Sequence, residues 1–181
     1  HMAKERPETI AGVNDVDLSG QTMVVTGGTD GVGRETAVSL GRLGADVIVH
    51  GRSARKADRV VDTIESTGGS AERFLADFAD ESAVHELADY VLETAGEVDV
   101  LVNNAGTQYS KGRLTESGVE RTMAVNHLAP FVLTNRLAPA IEAAGGRVVT
   151  VSSQVHQRST FDMDALTTVQ GQQRFSPVYS G

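Results

Sequence analysis

The chain has 181 residues, 40% of them hydrophobic, no cysteine, and a net charge of −8 at pH 7. That length supports one domain with a buried core and is short for two. The lack of cysteine excludes disulfides, thiol catalysis and thiolate metal sites, and an acidic balance without a basic patch argues against nucleic-acid binding.

Residues 1 to 20 are polar and aperiodic and contain Pro7, Gly12, Asn14, Asp15 and Gly20, so they read as an extended, flexible lead-in. His1-Met2 is read as a cloning remnant. The charged start has no apolar h-region, which argues against a secretory leader; a cytoplasmic location is the default expectation. No apolar run approaches the roughly 18 residues of a membrane span.

From Val24 the pattern changes. Val24-Val25-Thr26 is an apolar, β-branched run that stops at Gly27-Gly28-Thr29-Asp30-Gly31-Val32-Gly33, and helical spacing begins at once. Gly41 and Gly44 close that helix before a second apolar run, Val47-Ile48-Val49. Strand, glycine turn, helix, strand is the opening of a dinucleotide-binding βαβ unit. The turn lets backbone approach a pyrophosphate, and the helix N-terminus supplies N–H groups and partial positive charge. The glycines are spaced G-x-x-x-G-x-G; a glycine-rich turn without a ligand is the plainer alternative for this stretch alone.

Gly51-Arg52-Ser53 follows, then a polar helix from about Ala54 to Thr67 that presents Val60, Val61 and Ile64. Ser70 to Ala76 reads as a third strand ending at Asp77, and Glu81 to Thr94 as an amphipathic helix. Val98 to Val102 is a fourth strand, broken by Asn103-Asn104-Ala105-Gly106. A long helical region runs from about Glu116 to Ala144, interrupted near Asn126 and Pro130. Arg147 to Val151 is a fifth strand leading into Ser152-Ser153, and the remainder is polar and weakly patterned.

Strands alternating with helices, the strands nearly continuous apolar runs, predict a parallel doubly wound α/β sheet covered on both faces. Right-handed crossovers gather the carboxyl ends of the strands on one edge, where ligands bind. The glycine turn, Arg52, Asp77, Asn103 to Gly106 and Ser152-Ser153 all fall there. Residues 21 to 181 are accordingly read as one dinucleotide-binding domain.

Thr26-Gly27-x-x-x-Gly31-x-Gly33, Asn103-Asn104-Ala105-Gly106, Asn126, Ser152-Ser153 and Tyr179 together resemble the short-chain dehydrogenase/reductases, from about residue 20 to the end. Val-Asn-His-Leu-Ala-Pro-Phe at 125–131 and Val-Ser-Ser-x-x-His at 151–156 resemble the retinol dehydrogenase-like branch. The resemblance implies a Rossmann-like sheet in three layers (α/β/α) and an oxidoreductase that interconverts an alcohol and a carbonyl by hydride transfer. The implied cofactor-binding residues are Thr26, Gly27, Thr29, Asp30, Gly31, Val32 and Gly33, with Gly27, Gly31 and Gly33 along the pyrophosphate. Asp77 would meet the adenine amino group, Phe78 would contribute backbone, and Asn104, Ala105 and Gly106 would hold the ribose region.

At the end of strand two an acidic residue would bond the ribose 2′-hydroxyl of NAD, whereas an arginine accommodates the 2′-phosphate of NADP. Arg52 stands there without a carboxylate, so NADP is expected over NAD, with Arg55 and Lys56 as possible reinforcement. The implied catalytic group is Ser153, Tyr179 and Asn126: tyrosine as general acid/base, serine orienting the substrate oxygen, asparagine supporting a proton path. No His/Asp/Glu grouping has metal-ligand spacing, so no metal is expected.

The family pattern is Tyr-x-x-x-Lys, and the sequence reads Tyr179-Ser180-Gly181, two residues short of the lysine position. A phenol titrates near 10, so acid/base work near neutrality takes roughly 4 kcal/mol of phenolate stabilisation, ordinarily from an ammonium. The expectation is therefore an incomplete domain, the N-terminal part of a longer protein, inactive in this form, with further strands and helices of the family missing. A homo-oligomer is expected of the full-length protein. The alternative is a non-catalytic NADP-binding sensor or scaffold; an epimerase or dehydratase on the same fold fits the serine motif less well. A lipophilic alcohol or carbonyl substrate follows only from the branch resemblance, as does any contact from His156, Phe161 or Met163. Only Lys4, Lys56 and Lys111 stand against thirteen arginines, a bias that either salt adaptation or a GC-rich genome produces.

Overall fold

The computed structural model describes residues 5–109, 112–153 and 167. Pro7–Ile10 forms one helical turn, α1, within the segment expected to be extended. It is held because Glu8 is buried and accepts hydrogen bonds from Ser39 Oγ (2.8 Å) and Arg42 (3.4 Å). Then follow β1 (Thr22–Val25), α2 (Gly31–Arg42), β2 (Asp46–Gly51), α3 (Ala54–Glu65), β3 (Ser70–Leu75), α4 (Glu81–Thr94) and β4 (Val100–Asn103). Beyond a loop come α5 (Arg121–Met123), a π-helical turn over Ala124–Leu128, α6 (Ala129–Ala143) and β5 (Arg147–Thr150).

The five strands form one parallel sheet in the order β3-β2-β1-β4-β5. Both faces carry a core because side chains alternate along each strand. Met23, Val25, Val47 and Val49 point to one face, where Val38, Val60 and Ile64 of α2 and α3 meet them. Val24, Ile48 and Leu101 point to the other, against Leu87 and Val91 of α4 and Leu133 and Leu137 of α6. The doubly wound three-layer arrangement expected from the sequence is thus the observed one. Its strand order reverses between β1 and β4, and a crevice opens outside their carboxyl ends at that switch point. Among the described residues β5 is an edge strand, with Val148 and Val149 40% and 44% exposed. No helix among these residues is long and apolar enough to cross a membrane.

The helical region expected from Glu116 begins only at Arg121. Residues 115–118 form a turn in which Gly118 adopts φ 80° and its N–H donates to the Thr115 carbonyl (3.0 Å). The following helix widens into a π turn, with the Ala129 N–H bonded to Ala124 five residues back. Pro130 supplies the physical reason: it has no N–H to donate to the Asn126 carbonyl four residues earlier, so the regular ladder breaks there. The interruption read at Asn126 and Pro130 is this bulge.

Candidate functional site

The turn between β1 and α2 is built around close backbone approach. Gly27 has φ 63°, and a Cβ on it would stand 2.8 Å from the Ala105 Cα. A Cβ on Gly33 would stand 2.3 Å from Asn104 Nδ2 and 2.4 Å from the Gly27 carbonyl oxygen. The loop after β4 is clamped against this turn. Thr26 Oγ1 donates to the Val102 carbonyl (3.2 Å) and accepts from the Asn104 and Ala105 N–H groups (3.0 Å each). Asn104 Nδ2 donates to the Thr26 and Gly27 carbonyls at 2.9 and 3.2 Å. The structure thus joins the two glycine-containing motifs singled out in the sequence into one surface.

A cleft of about 280 Å³ lies beside that surface, lined by Gly27, Thr29, Asp30, Ala105 and Gly106, by Arg52, Ser53 and Lys56, and by Asp77, Phe78, Thr107 and Tyr109. Its inner wall is tightly packed, whereas a Cβ on Gly31 would meet no atom within 4 Å. Asp30 caps α2 by accepting from the Gly31 N–H (3.0 Å); the N–H groups of Val32 and Gly33 have no intrahelical acceptor. Such a cradle, open at a helix N-terminus and flanked by Arg52 and Lys56, fits a dinucleotide phosphate chain. Val32 is 69% exposed. Arg52 is exposed and has no ion pair among the described residues. Lys56 reaches across the cleft mouth to Asp30 (2.5 Å), and the carboxyl of Asp30 is held below the usual aspartate range first by that bond.

His50, near the end of β2, is central to this arrangement although no motif in the sequence marks it. It is buried, its ring stacks on Phe78 with centroids 4.0 Å apart, and Nδ1 accepts from the Gly27 N–H (3.2 Å). Nε2 lies 3.1 Å from the Ala76 carbonyl. These partners assign the neutral tautomer with its proton on Nε2. Burial lowers the imidazole pKa to about 4, against the Ala76 hydrogen bond, with the nearby Arg52 charge lowering it further and Asp77 opposing. His50 therefore ties the ends of β1, β2 and β3 together as an uncharged spacer. Alternation did place it among apolar neighbours, a signal that could have marked it as buried.

Asp77 does not cap α4, a role taken by Asp80. Its Oδ1 accepts from the Ala79 N–H (3.1 Å) and its Oδ2 from Arg121 (2.7 Å). Neither Arg121 nor Tyr109 was visible as a site residue in the sequence. Asn126, in the π turn, bonds Thr107 twice, accepting from its N–H and donating to its carbonyl at 2.8 Å each. Ser152 and Ser153 follow β5 at the carboxyl edge of the sheet and are exposed. Tyr179, His156, Phe161 and Met163 lie outside the described residues.

A parallel sheet whose switch point carries a glycine cradle at a helix N-terminus defines a nucleotide-binding α/β domain. Comparison with known proteins narrows the class. The family model for the short chain dehydrogenases matches residues 21–165, and the chain belongs to that family. It is 34% identical to human retinol dehydrogenase 13 over 152 residues, covering 82% of this chain and 46% of that protein. The chain spans about half the length of the curated relatives it matches. Among solved structures, a metagenomic short-chain oxidoreductase in complex with NADP is 39% identical with a TM-score of 0.68, covering 75% of this chain and 62% of that one. A 7α-hydroxysteroid dehydrogenase complexed with NADH and 7-oxo glycochenodeoxycholic acid is 31% identical with a TM-score of 0.71, covering 84% and 60%.

Proposed function

We propose that this chain is the cofactor-binding part of an NADP(H)-dependent oxidoreductase that interconverts an alcohol and a carbonyl. The observation that carries the cofactor choice is Arg52: it directly follows β2 at the cleft wall, beside Ser53 and Lys56, with no ion pair among the described residues and no carboxylate in its place. Similar structures hold NADP in one case and NADH in another, so the choice rests on this chain's own residues. Bound there, the cofactor supplies the hydride acceptor or donor. The Val32 and Gly33 N–H groups face its phosphates, Arg52 holds the 2′-phosphate by charge-assisted bonds, and Asp77 and Phe78 flank the base. Asn126 fixes the Thr107 backbone beside the reacting end. Ser153 and Tyr179 carry the substrate oxygen and its proton in the full-length protein. A small-molecule substrate of lipophilic character and a homo-oligomer of the full-length protein complete the reading, both resting on the family resemblance; a cytoplasmic location is the default expectation.

Titration of NADPH and NADH by cofactor fluorescence tests it. NADPH is expected to bind at least about tenfold tighter, and Arg52→Ala to weaken NADPH about 10- to 100-fold while leaving NADH nearly unchanged, the size of one or two lost charge-assisted bonds. Tighter NADH binding would overturn the assignment. In the full-length protein Tyr179→Phe is expected to cut turnover at least about 100-fold with cofactor binding kept, as for loss of a general acid/base. NADPH binding without turnover across a broad carbonyl panel would instead mark a sensor or scaffold.

A further inference from the structure

Asp77, Tyr109 and Arg121 come from three separate segments: the end of β3, the loop after β4, and the start of α5. Asp77 lines two cavities. One is the cleft already described, which Tyr109 also lines; the other, of about 450 Å³, is lined by Asp77 together with Arg121. The guanidinium donates to Asp77 Oδ2 at 2.7 Å and lies 4.7 Å above the Tyr109 ring. Its backbone is fixed as well, since the Arg121 N–H donates to the Arg113 carbonyl (2.9 Å) and Leu114 pairs with Glu120. A planar fork pinned by an aromatic face and a carboxylate loses little further freedom when it holds that carboxylate still.

The consequence falls on Asp77. One oxygen is held by the Ala79 N–H and the other by Arg121, so the carboxylate plane is fixed at both ends. A carboxylate offers about four acceptor sites, and these two bonds leave acceptor capacity at the cleft wall. The ionised Asp77 carboxylate only accepts, so at its own place on the wall it offers no donor to a ligand. A base with an exocyclic amino group suits it, and a base with a carbonyl at the same place is repelled.

We propose that Arg121 is the positioning residue for base recognition, holding Asp77 as a fixed acceptor for the adenine amino group from behind the cleft. This rests on the cofactor reading above, in which Asp77 flanks the base. Arg121 does not touch the cofactor; it acts through Asp77, and the Tyr109 ring supports its guanidinium.

The test uses NADPH and its hypoxanthine analogue, in which the 6-amino group is replaced by a carbonyl, with dissociation constants read by fluorescence on the full chain. The unsubstituted protein is expected to prefer NADPH about tenfold or more, as for one hydrogen bond to a charged group. Arg121→Met is expected to bring that ratio close to one, mainly by weakening NADPH, and Arg121→Lys to restore part of it. Arg52→Ala is expected to weaken both ligands together and leave the ratio intact. If Arg121→Met weakens both ligands equally and keeps the ratio, Arg121 is only structural and the proposal fails. Should that variant not fold, Asp77→Asn serves instead: its amide donates to the hypoxanthine carbonyl and is expected to narrow or reverse the preference, and an unchanged ratio overturns the proposal. An unsubstituted protein that binds neither ligand overturns the cofactor reading itself, which separates the two failures.

Discussion

Gly33→Ala is expected to abolish measurable NADPH binding, a loss of at least about 100-fold, and to destabilise the fold by about 2 kcal/mol, the middle of the range for overpacking a close contact. The added methyl would stand 2.3 Å from Asn104 Nδ2 and 2.4 Å from the Gly27 carbonyl oxygen. Neither neighbour is a loose side-chain tip. The Asn104 amide is tied to two carbonyls, and the other neighbour is backbone of the turn itself. Relief must therefore open the seam between the turn and the loop after β4, and the phosphate cradle opens with it. Alanine's better helix propensity, worth about 1 kcal/mol over glycine, offsets part of the stability cost and none of the binding cost. Gly41→Ala is the control. A Cβ there meets the Ile64 side chain at 2.4 Å, in the α2–α3 contact remote from the cleft, so it is expected to cost stability with NADPH affinity kept. Urea denaturation and NADPH titration of both variants make the check; Gly33→Ala binding within threefold of the parent would remove the seam from the account of the site.

The second large effect is a loss of stability in mild acid. His50 is neutral when folded, with its pKa lowered from the ordinary 6.5 to about 4 by burial. In that interval the unfolded chain binds a proton that the folded chain does not. Stability therefore falls as pH drops through 6.5 and levels off below about 4, a total of roughly 3 kcal/mol. The carboxyls of Asp17, Asp30 and Asp80, held low by their hydrogen bonds to Ser19, Lys56 and Ser82 respectively, act in the same direction but further down. Their contribution is complete above the ordinary carboxylate value of about 4 and is lost only below it. The interval from pH 6.5 to 4.5 thus isolates the histidine. Urea midpoints across it are expected to fall in the parent and to flatten in His50→Phe. That variant keeps the ring stack on Phe78 but leaves the Gly27 N–H and the Ala76 carbonyl unpaired, so at pH 7 it is expected to be about 2–3 kcal/mol less stable. An unaltered pH slope in His50→Phe would assign the acid sensitivity elsewhere.

Much of this architecture was legible beforehand because its causes are local. Val24-Val25, Val47-Ile48-Val49 and Leu101-Val102 are apolar on both alternating faces, which requires a sheet covered on two sides, and the structure has one. Glycine spacing from Gly27 to Gly33 announced a turn that backbone had to approach closely. The helix begins later than the sequence pattern predicts because Gly118 folds the stretch from Glu116 to Glu120 into a turn closed by the Leu114–Glu120 bridge. The helical turn in the lead-in has no local mark, because the partners of Glu8, Ser39 and Arg42, lie more than thirty residues away.

The site divides the same way. Chain order alone placed Gly27, Arg52, Asp77 and Asn104 at one edge, since parallel strands with right-handed crossovers leave no other place for their carboxyl ends. Sequence thereby determined the sheet, the glycine cradle and the company of residues around it. Only the tertiary structure decided how they hold one another: His50 bridging Gly27 and Ala76, Asn104 braced under the turn, Arg121 gripping Asp77 from 44 residues away. Steric and periodic preferences act over a few residues and can be read along the chain. Ion pairs and buried hydrogen bonds between distant segments arise only when packing brings them together, and they carry no local mark.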